Sequence, residues 1–354
     1  MKVSLRAPGV SRRTVLLCAL AAPAAWALPP RTLRFPRDFG SHPGQHTEWW
    51  YITGQARTGA REFGFQLTFF RSRVDETQGM RSAFAARQLI FAHAALTDLE
   101  GRKLWHDQRI AREGFGVASA AEDDTDVRLR DWTLRRDDKG YAARLPAEGF
   151  GLELRFTPTQ PVMLQGEAGL SRKGPEVEQA SYYYSEPQLA VSGRVTEGGK
   201  AREVTGIAWL DHEWSSEPLA AEAAGWDWLG ANLEGGGALM AFRMRSKDGG
   251  VLWSQATLRE AGRAPIAVEG DTVRFTPRRT WTSPRTGVAY PVGMTIAVGG
   301  RRWNVEPIMD DQELDARAST GTLYWEGAAR VVGEGAPGGR GYLELTGYAG
   351  KKPY

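Results

Sequence analysis

The chain has 354 residues, with 45 basic against 42 acidic side chains, 42 glycines, 13 tryptophans and a single cysteine. Four of the basic residues (Lys2, Arg6, Arg12 and Arg13) fall within the first 27 positions, which hold no acidic residue, so the remainder carries 45 minus 4, or 41, basic residues against 42 acidic. That near-neutral balance argues against nucleic acid as a partner, and one cysteine excludes a disulfide framework.

At the N-terminus, Ser11-Arg12-Arg13-Thr14-Val15-Leu16-Leu17 places a twin arginine ahead of a short apolar run, and Ala25-Trp26-Ala27 supplies a small-x-small cleavage site. Residues 1–27 therefore read as a removable export signal of the twin-arginine type, which predicts a periplasmic or secreted protein cut near Ala27. The apolar run falls short of the ~20 residues that a bilayer-spanning helix needs, and no later segment qualifies, so no transmembrane anchor is expected in the mature chain. Cys18 leaves with the signal. Leu16 and Leu17 are not the small residues that precede a lipidated cysteine.

Next comes His42-Pro43-Gly44-Gln45-His46-Thr47-Glu48-Trp49-Trp50-Tyr51, where two histidines and a glutamate sit among indole rings. Phe63, Phe65, Leu67 and Phe69 alternate with smaller or polar residues, the pattern of a half-buried strand. Leu89 to Leu96 is a more continuously apolar run, and period two puts His93 on the face of Leu89, Phe91 and Ala95. Strand patterns continue at 132–134, 152–156 and 191–195. Glu122-Asp123-Asp124-Thr125-Asp126 reads as a solvated loop. Trp209-Leu210-Asp211-His212-Glu213-Trp214 then repeats the chemistry of the first cluster.

The small, polar stretch Ser215 to Gly225 marks the expected boundary between an N-terminal domain (28–215) and a C-terminal domain (216–354). Beyond it, Trp226–Leu233, Leu239–Met244 and Val251–Trp253 are joined by glycine-rich turns into an antiparallel meander. Further strands are expected at 292–298, 302–305 and 341–345. Many short strands without helical crossovers predict an all-β chain of closed or sandwiched antiparallel sheets.

Titratable groups among indoles are costly to desolvate unless they pair or do chemistry, so the two clusters are the candidate site, with two structural polar networks as the competing reading. No Gly-x-Ser-x-Gly elbow, His-Glu-x-x-His helix or Walker loop is present. A zinc-dependent hydrolase built on His42, His46, Glu48 and His212 is a third reading, opposed by Pro43-Gly44, which disfavours the helix that the His42/His46 spacing would suit.

The strings His46–Tyr51, Phe91-Ala92-His93-Ala94, Ser181-Tyr182-Tyr183-Tyr184-Ser185, Trp209–Trp214 and Tyr324-Trp325-Glu326-Gly327 resemble, in order, the carotenoid 1,2-hydratase (hydroxyneurosporene synthase) family. They also resemble its exported AttH-like relatives associated with ABC transporters. The resemblance spans nearly the whole mature chain and implies two lipocalin-like (calycin) antiparallel β-barrels in tandem, with no obligatory metal or organic cofactor. His212 and Trp214 match positions implicated in the hydratases. That family's later tyrosine and aspartate have no clear counterpart: Leu239 and Ala241 lie near the expected spacing, and Asp227 is the nearest carboxylate.

The expectation is an exported lipocalin-like protein that binds a hydrophobic lipid or isoprenoid, with ABC-transporter components as partners. The alternative is a hydro-lyase adding water to an isoprenoid or carotenoid C=C bond by acid–base catalysis. Asp211, His212, Glu48 and His46 are the expected acid–base groups and are expected to converge. Trp49, Trp50, Tyr51, His93, Tyr183, Trp209, Trp214, Trp226, Asp227 and Trp228 are the expected ligand contacts, no residue is assigned to a metal, and a ring of Tyr182–Tyr184 should face the pocket.

Overall fold

The computed structural model describes residues 28–216 and 219–350, so the twin-arginine segment lies outside the described residues. The first part of the chain forms β1 (Thr47–Thr58), β2 (Arg61–Arg73), β3 (Gln88–Asp98), β4 (Lys103–Arg112), β5 (Ala118–Ala120), β6 (Asp126–Leu129), β7 (Trp132–Asp137), β8 (Gly140–Pro146), β9 (Phe150–Thr157), β10 (Met163–Leu164), β11 (Leu170–Arg172), β12 (Ala180–Glu197) and β13 (Lys200–Ser215). The second part forms β14 (Ala223–Leu233), β15 (Ala238–Ser246), β16 (Val251–Arg259), β17 (Ile266–Glu269), β18 (Val273–Thr282), β19 (Ala289–Val298), β20 (Arg301–Pro307), β21 (Glu313–Ala316), β22 (Thr322–Glu334) and β23 (Gly339–Leu345). Every strand expected from alternation is present.

All pairings are antiparallel, and the strands fall into two sheets, one ordered β4-β3-β2-β1-β13-β12-β9-β8-β7-β6-β5 and the other β17-β16-β15-β14-β23-β22-β20-β19-β18. They curl into a nearly closed barrel and a half-barrel, consistent with two lipocalin-like barrels. Among the described residues no helix is long and apolar enough to cross a membrane.

Period two sorts each strand's side chains. Trp50 and Ile52 of β1, Tyr182 and Tyr184 of β12, and Leu210 and Trp214 of β13 fill the first barrel. Leu229, Ala231, Leu239, Trp325, Leu343 and Leu345 fill the second. The outer faces of these strands are also apolar, because each barrel covers the other: Tyr51, Tyr183, Trp209, Trp228, Met240, Phe242, Ala328 and Tyr342 form a third core between the sheets. Polar side chains pin the interface, with the Gln55 amide donating to the carbonyls of Ala329 (2.9 Å) and Gly341 (3.2 Å). Gly64 permits the close approach, since a Cβ there would lie 2.7 Å from Ala328 Cβ.

Candidate functional site

Two buried polar clusters flank β1 and β13, one on each face. Inside the first barrel, Glu48 is fully buried. Its carboxylate accepts from Arg71 Nε (2.7 Å), His42 Nδ1 (2.7 Å), His212 Nε2 (2.9 Å) and the His42 backbone N–H (2.9 Å). The rest of Arg71 is fixed by Gln88 Oε1 and by the carbonyls of His42 and Gln45. His42 Nε2 faces Asp38 Oδ1 at 3.0 Å, so both ring nitrogens meet carboxylate oxygens. Trp214 stacks on His42 with centroids 3.8 Å apart, and Trp50 stacks on His212 at 4.6 Å.

The electrostatics follow from this crowd of donors. Burial alone would raise the Glu48 carboxyl, but donation from His212 and His42 outweighs it and holds the group well below the carboxylate range. Asp38 is likewise held down to about 2, its burial outweighed by His42, the Arg34 backbone N–H and Arg31. Burial pushes the His212 imidazole down to about 4 despite the carboxylate beside it. A neutral His212 that donates from Nε2 must accept at Nδ1, where the Tyr184 hydroxyl stands at 3.0 Å.

The other face of the same strands borders a cavity of about 740 Å³ between the two sheets. Its apolar wall comes from Trp49, Phe70, Phe91, Leu219, Trp226, Trp228, Phe242 and Met244, and its polar groups include Tyr51, Tyr183, Lys173, Arg71 and five carboxyls: Asp211, Glu213, Glu326, Glu344 and, at the edge shared with the first barrel, Glu48. Asp211 accepts from Tyr183 Oη (2.7 Å), Trp209 Nε1 (2.7 Å) and Ser185 Oγ, and Trp228 Nε1 in turn donates to Tyr183 Oη (3.1 Å). Burial outweighs these donors and raises Asp211 to about 7, with Glu213 adding to the effect. Burial and neighbouring carboxylates also raise Glu344 to about 7 and Glu326 well above its ordinary value.

The sequence matches the AttH-like family over residues 26–348. The chain belongs to the AttH-like family. Among solved structures it is similar to a protein from Nitrosomonas europaea assigned as AttH, at 51% identity over 91% of this chain and 99% of that one, with a TM-score of 0.85. It shares its fold, at 15% identity, with kievitone hydratase from Nectria haematococca (TM-score 0.70; 89% of this chain, 93% of that one) and with CghA bound to Sch210972 (TM-score 0.51; 86% and 89%). No curated protein matches the sequence.

In this AttH-like chain three of the four expected acid–base residues, His46, Glu48 and Asp211, border the cavity, and His212 does not. Glu48 and His212 meet as expected, but Asp211 and His212 are consecutive in β13 and therefore point to opposite faces, His212 into the barrel and Asp211 into the cavity. His46 borders the cavity but is exposed, bonded to the Ser216 carbonyl (2.9 Å) and paired with Asp75 (2.8 Å). Of the expected ligand contacts, Trp49, Tyr51, Tyr183, Trp226 and Trp228 line the cavity, and Trp209 holds Asp211 from behind. Trp50 and Trp214 do not line it, because alternation turns them into the first barrel.

Asp227 is a further correction. Its position between Trp226 and Trp228 turns it into the second barrel, where Arg243, Arg245 and Tyr348 engage it. His93 sits beside the cavity wall rather than in it, bridging the sheets through Tyr324 Oη (2.7 Å) and Ser319 Oγ (2.8 Å). The tyrosine run behaves as expected, with Tyr183 facing the cavity.

A zinc centre does not fit the residues once proposed for it. His42, Glu48 and His212 offer ligand atoms within 4.8 Å of one another, but His46 is elsewhere and the Arg71 guanidinium already sits on the same carboxylate, where a metal cation would be repelled.

Glu326 and Glu344 were missed as site residues. A carboxylate set between Leu343 and Leu345, or between Trp325 and Gly327, signals a strand with one apolar face, and a single barrel would turn the other face to solvent.

Proposed function

We propose that the chain binds a hydrophobic small molecule in the cavity between its sheets. The observation that carries this reading is the cavity itself: about 740 Å³, walled chiefly by aromatic side chains and containing a few buried polar groups that can orient a guest. A lipid or isoprenoid suits such walls. The test is mass spectrometry of the gently purified protein for a co-purifying apolar molecule, followed by titration with an apolar dye while tryptophan fluorescence is monitored. The reading fails if nothing co-purifies and no saturable binding is seen.

A second reading, hydro-lyase chemistry, is favoured by Asp211. Adding water to an isolated alkene needs an acid that protonates carbon, a surface that tolerates the resulting cation and a base that delivers water. A cavity carboxyl that titrates near 7, with the Trp226 and Trp228 indoles in the same wall, supplies the first two, and Glu344 is a candidate for the third. That kievitone hydratase shares the fold makes this chemistry worth testing; the similarity itself extends to fold alone. Incorporation of label from H₂¹⁸O into an isoprenoid alkene, abolished in Asp211→Asn, would establish it, and absence of label with the wild-type protein would leave a carrier.

The proposal also places the protein outside the cytoplasm, with ABC-transporter components as partners that would pass on its ligand. Undiminished export after Arg12→Lys with Arg13→Lys would argue against the twin-arginine route.

A further inference from the structure

The cavity already shows how it accommodates an ammonium group. Lys173 Nζ lies 2.8 Å from Glu213 Oε1, with the Tyr183 and Phe242 ring centroids 4.6 and 4.8 Å away. A carboxylate backed by aromatic faces is the general solution for a cation in a dry site. Elsewhere on the wall the same components recur without a cation. Glu326 and Glu344 are directly opposite each other in the β22–β23 register and both border the cavity, as do Trp49, Tyr51, Trp226 and Trp228.

Like charges in a cross-strand pair are unfavourable, and a purely structural wall would be better served by apolar residues. Among the described residues no ion pair reaches Asp211, Glu326 or Glu344. Glu326 is only 2% exposed, and neither its Oε1 nor the buried Tyr51 hydroxyl that interacts with it reaches full hydrogen-bond geometry with any partner.

We infer that the ligand of this cavity carries a basic nitrogen, and that Glu326 and Glu344 hold its ammonium group while the aromatic walls take its hydrocarbon part. This rests on the cavity-binding reading and names the ligand class within it: an amphipathic amine. The groups facing the pair are Tyr51 from β1, Asp211 and Glu213 from β13, Trp226 and the more distant Asp227 from β14, and Tyr342 from β23, none of them a cation, while the cavity's Lys173 and Arg71 are paired with Glu213 and Glu48. Without an ammonium a proton does the neutralising, because burial keeps both carboxyls above their usual range. An incoming ammonium replaces that proton, which leaves to solvent.

The test is isothermal titration of the intact purified protein at pH 6 with dodecylamine, dodecyltrimethylammonium and 1-dodecanol as matched probes, each in two buffers of different ionisation enthalpy. Both cations should bind about tenfold or more tightly than the alcohol. Their apparent enthalpies should differ between buffers by the amount that release of about one proton requires. Glu326→Gln with Glu344→Gln should bring amine and alcohol to parity, and Glu326→Gln alone should give part of that loss of preference should the double variant fold poorly. Saturable dodecanol binding with no preference for the cations overturns the inference and leaves cavity binding intact. Binding of none of the three overturns both.

Discussion

Glu48 and Asp211 belong to neighbouring paired strands, β1 and β13, and both are buried carboxyls surrounded by donors, yet they end in opposite charge states. Glu48 receives an arginine, two imidazoles and a backbone N–H, and so remains ionised inside the first barrel. Asp211 receives only neutral donors and faces a cavity, and so takes up a proton near neutral pH. A saturated carboxylate holds parts of the fold in place. A carboxyl whose charge is left for something else to balance is available to a ligand or to a reaction. The two look alike in sequence, each an acid within two residues of a tryptophan, and the difference lies in which face of the strand they occupy.

The sharpest way to break this comparison is to make the same substitution on both sides. Glu48→Gln removes the charge that the Arg71 guanidinium faces, which leaves a cation buried without its carboxylate and should cost about 3–5 kcal/mol in denaturant unfolding. Glu326→Gln removes a buried carboxyl that no cation balances, and should change stability by less than ~1 kcal/mol or increase it. Equal losses at both positions would end the division into a structural knot and a functional wall.

Asp211→Asn sharpens it through pH. A carboxyl raised from 3.8 to about 7 on folding stabilises the protein fully below pH 4, and that contribution is lost as pH rises through 7. Asparagine does not titrate, so the variant should gain on the wild type by roughly 2–4 kcal/mol between pH 4 and 8, read from urea midpoints across the range. The difference between the two proteins is the informative quantity, because His212 and His93, both lowered by burial, give a stability that rises with pH over the lower part of this window. A pH-independent difference would mean that Asp211 is ionised throughout.

The strands, and with them the all-β class, were legible because alternating apolar residues and glycine-rich turns are local signals. The tryptophan and acid strings were legible as unusual chemistry. Their division was also within reach, since period two separates Asp211 from His212 once Trp209–Trp214 is assigned to a strand, and it turns Trp50, Trp214 and Asp227 away from the cavity for the same reason. What no local pattern contains is the covering of one barrel by the other. Glu326 and Glu344 look like solvent-facing residues of a half-buried sheet until the first barrel is laid over them, and the cavity exists only in that arrangement.

That covering depends in part on His93, where a smaller effect than at Glu48 or Asp211 is expected. Ser319 Oγ donates to Gln108 Oε1 (2.6 Å) and so accepts from His93 Nε2–H, while the Tyr324 hydroxyl donates to Nδ1. The ring is thus neutral, and burial lowers it to about 3, so its contribution is present above pH 6.5 and lost as pH falls toward 3. His93→Ala deletes both bridges between the sheets without touching either barrel core, and should cost about 1–2 kcal/mol at pH 7. The cost should shrink on acidification, because the wild-type protein loses the same interaction when the imidazole is forced to charge. Binding of 1-dodecanol should persist, since His93 does not line the cavity. A cost that stays constant from pH 7 to pH 4 would show that the ring contributes only its packing, and that the barrels are held together by their apolar faces alone.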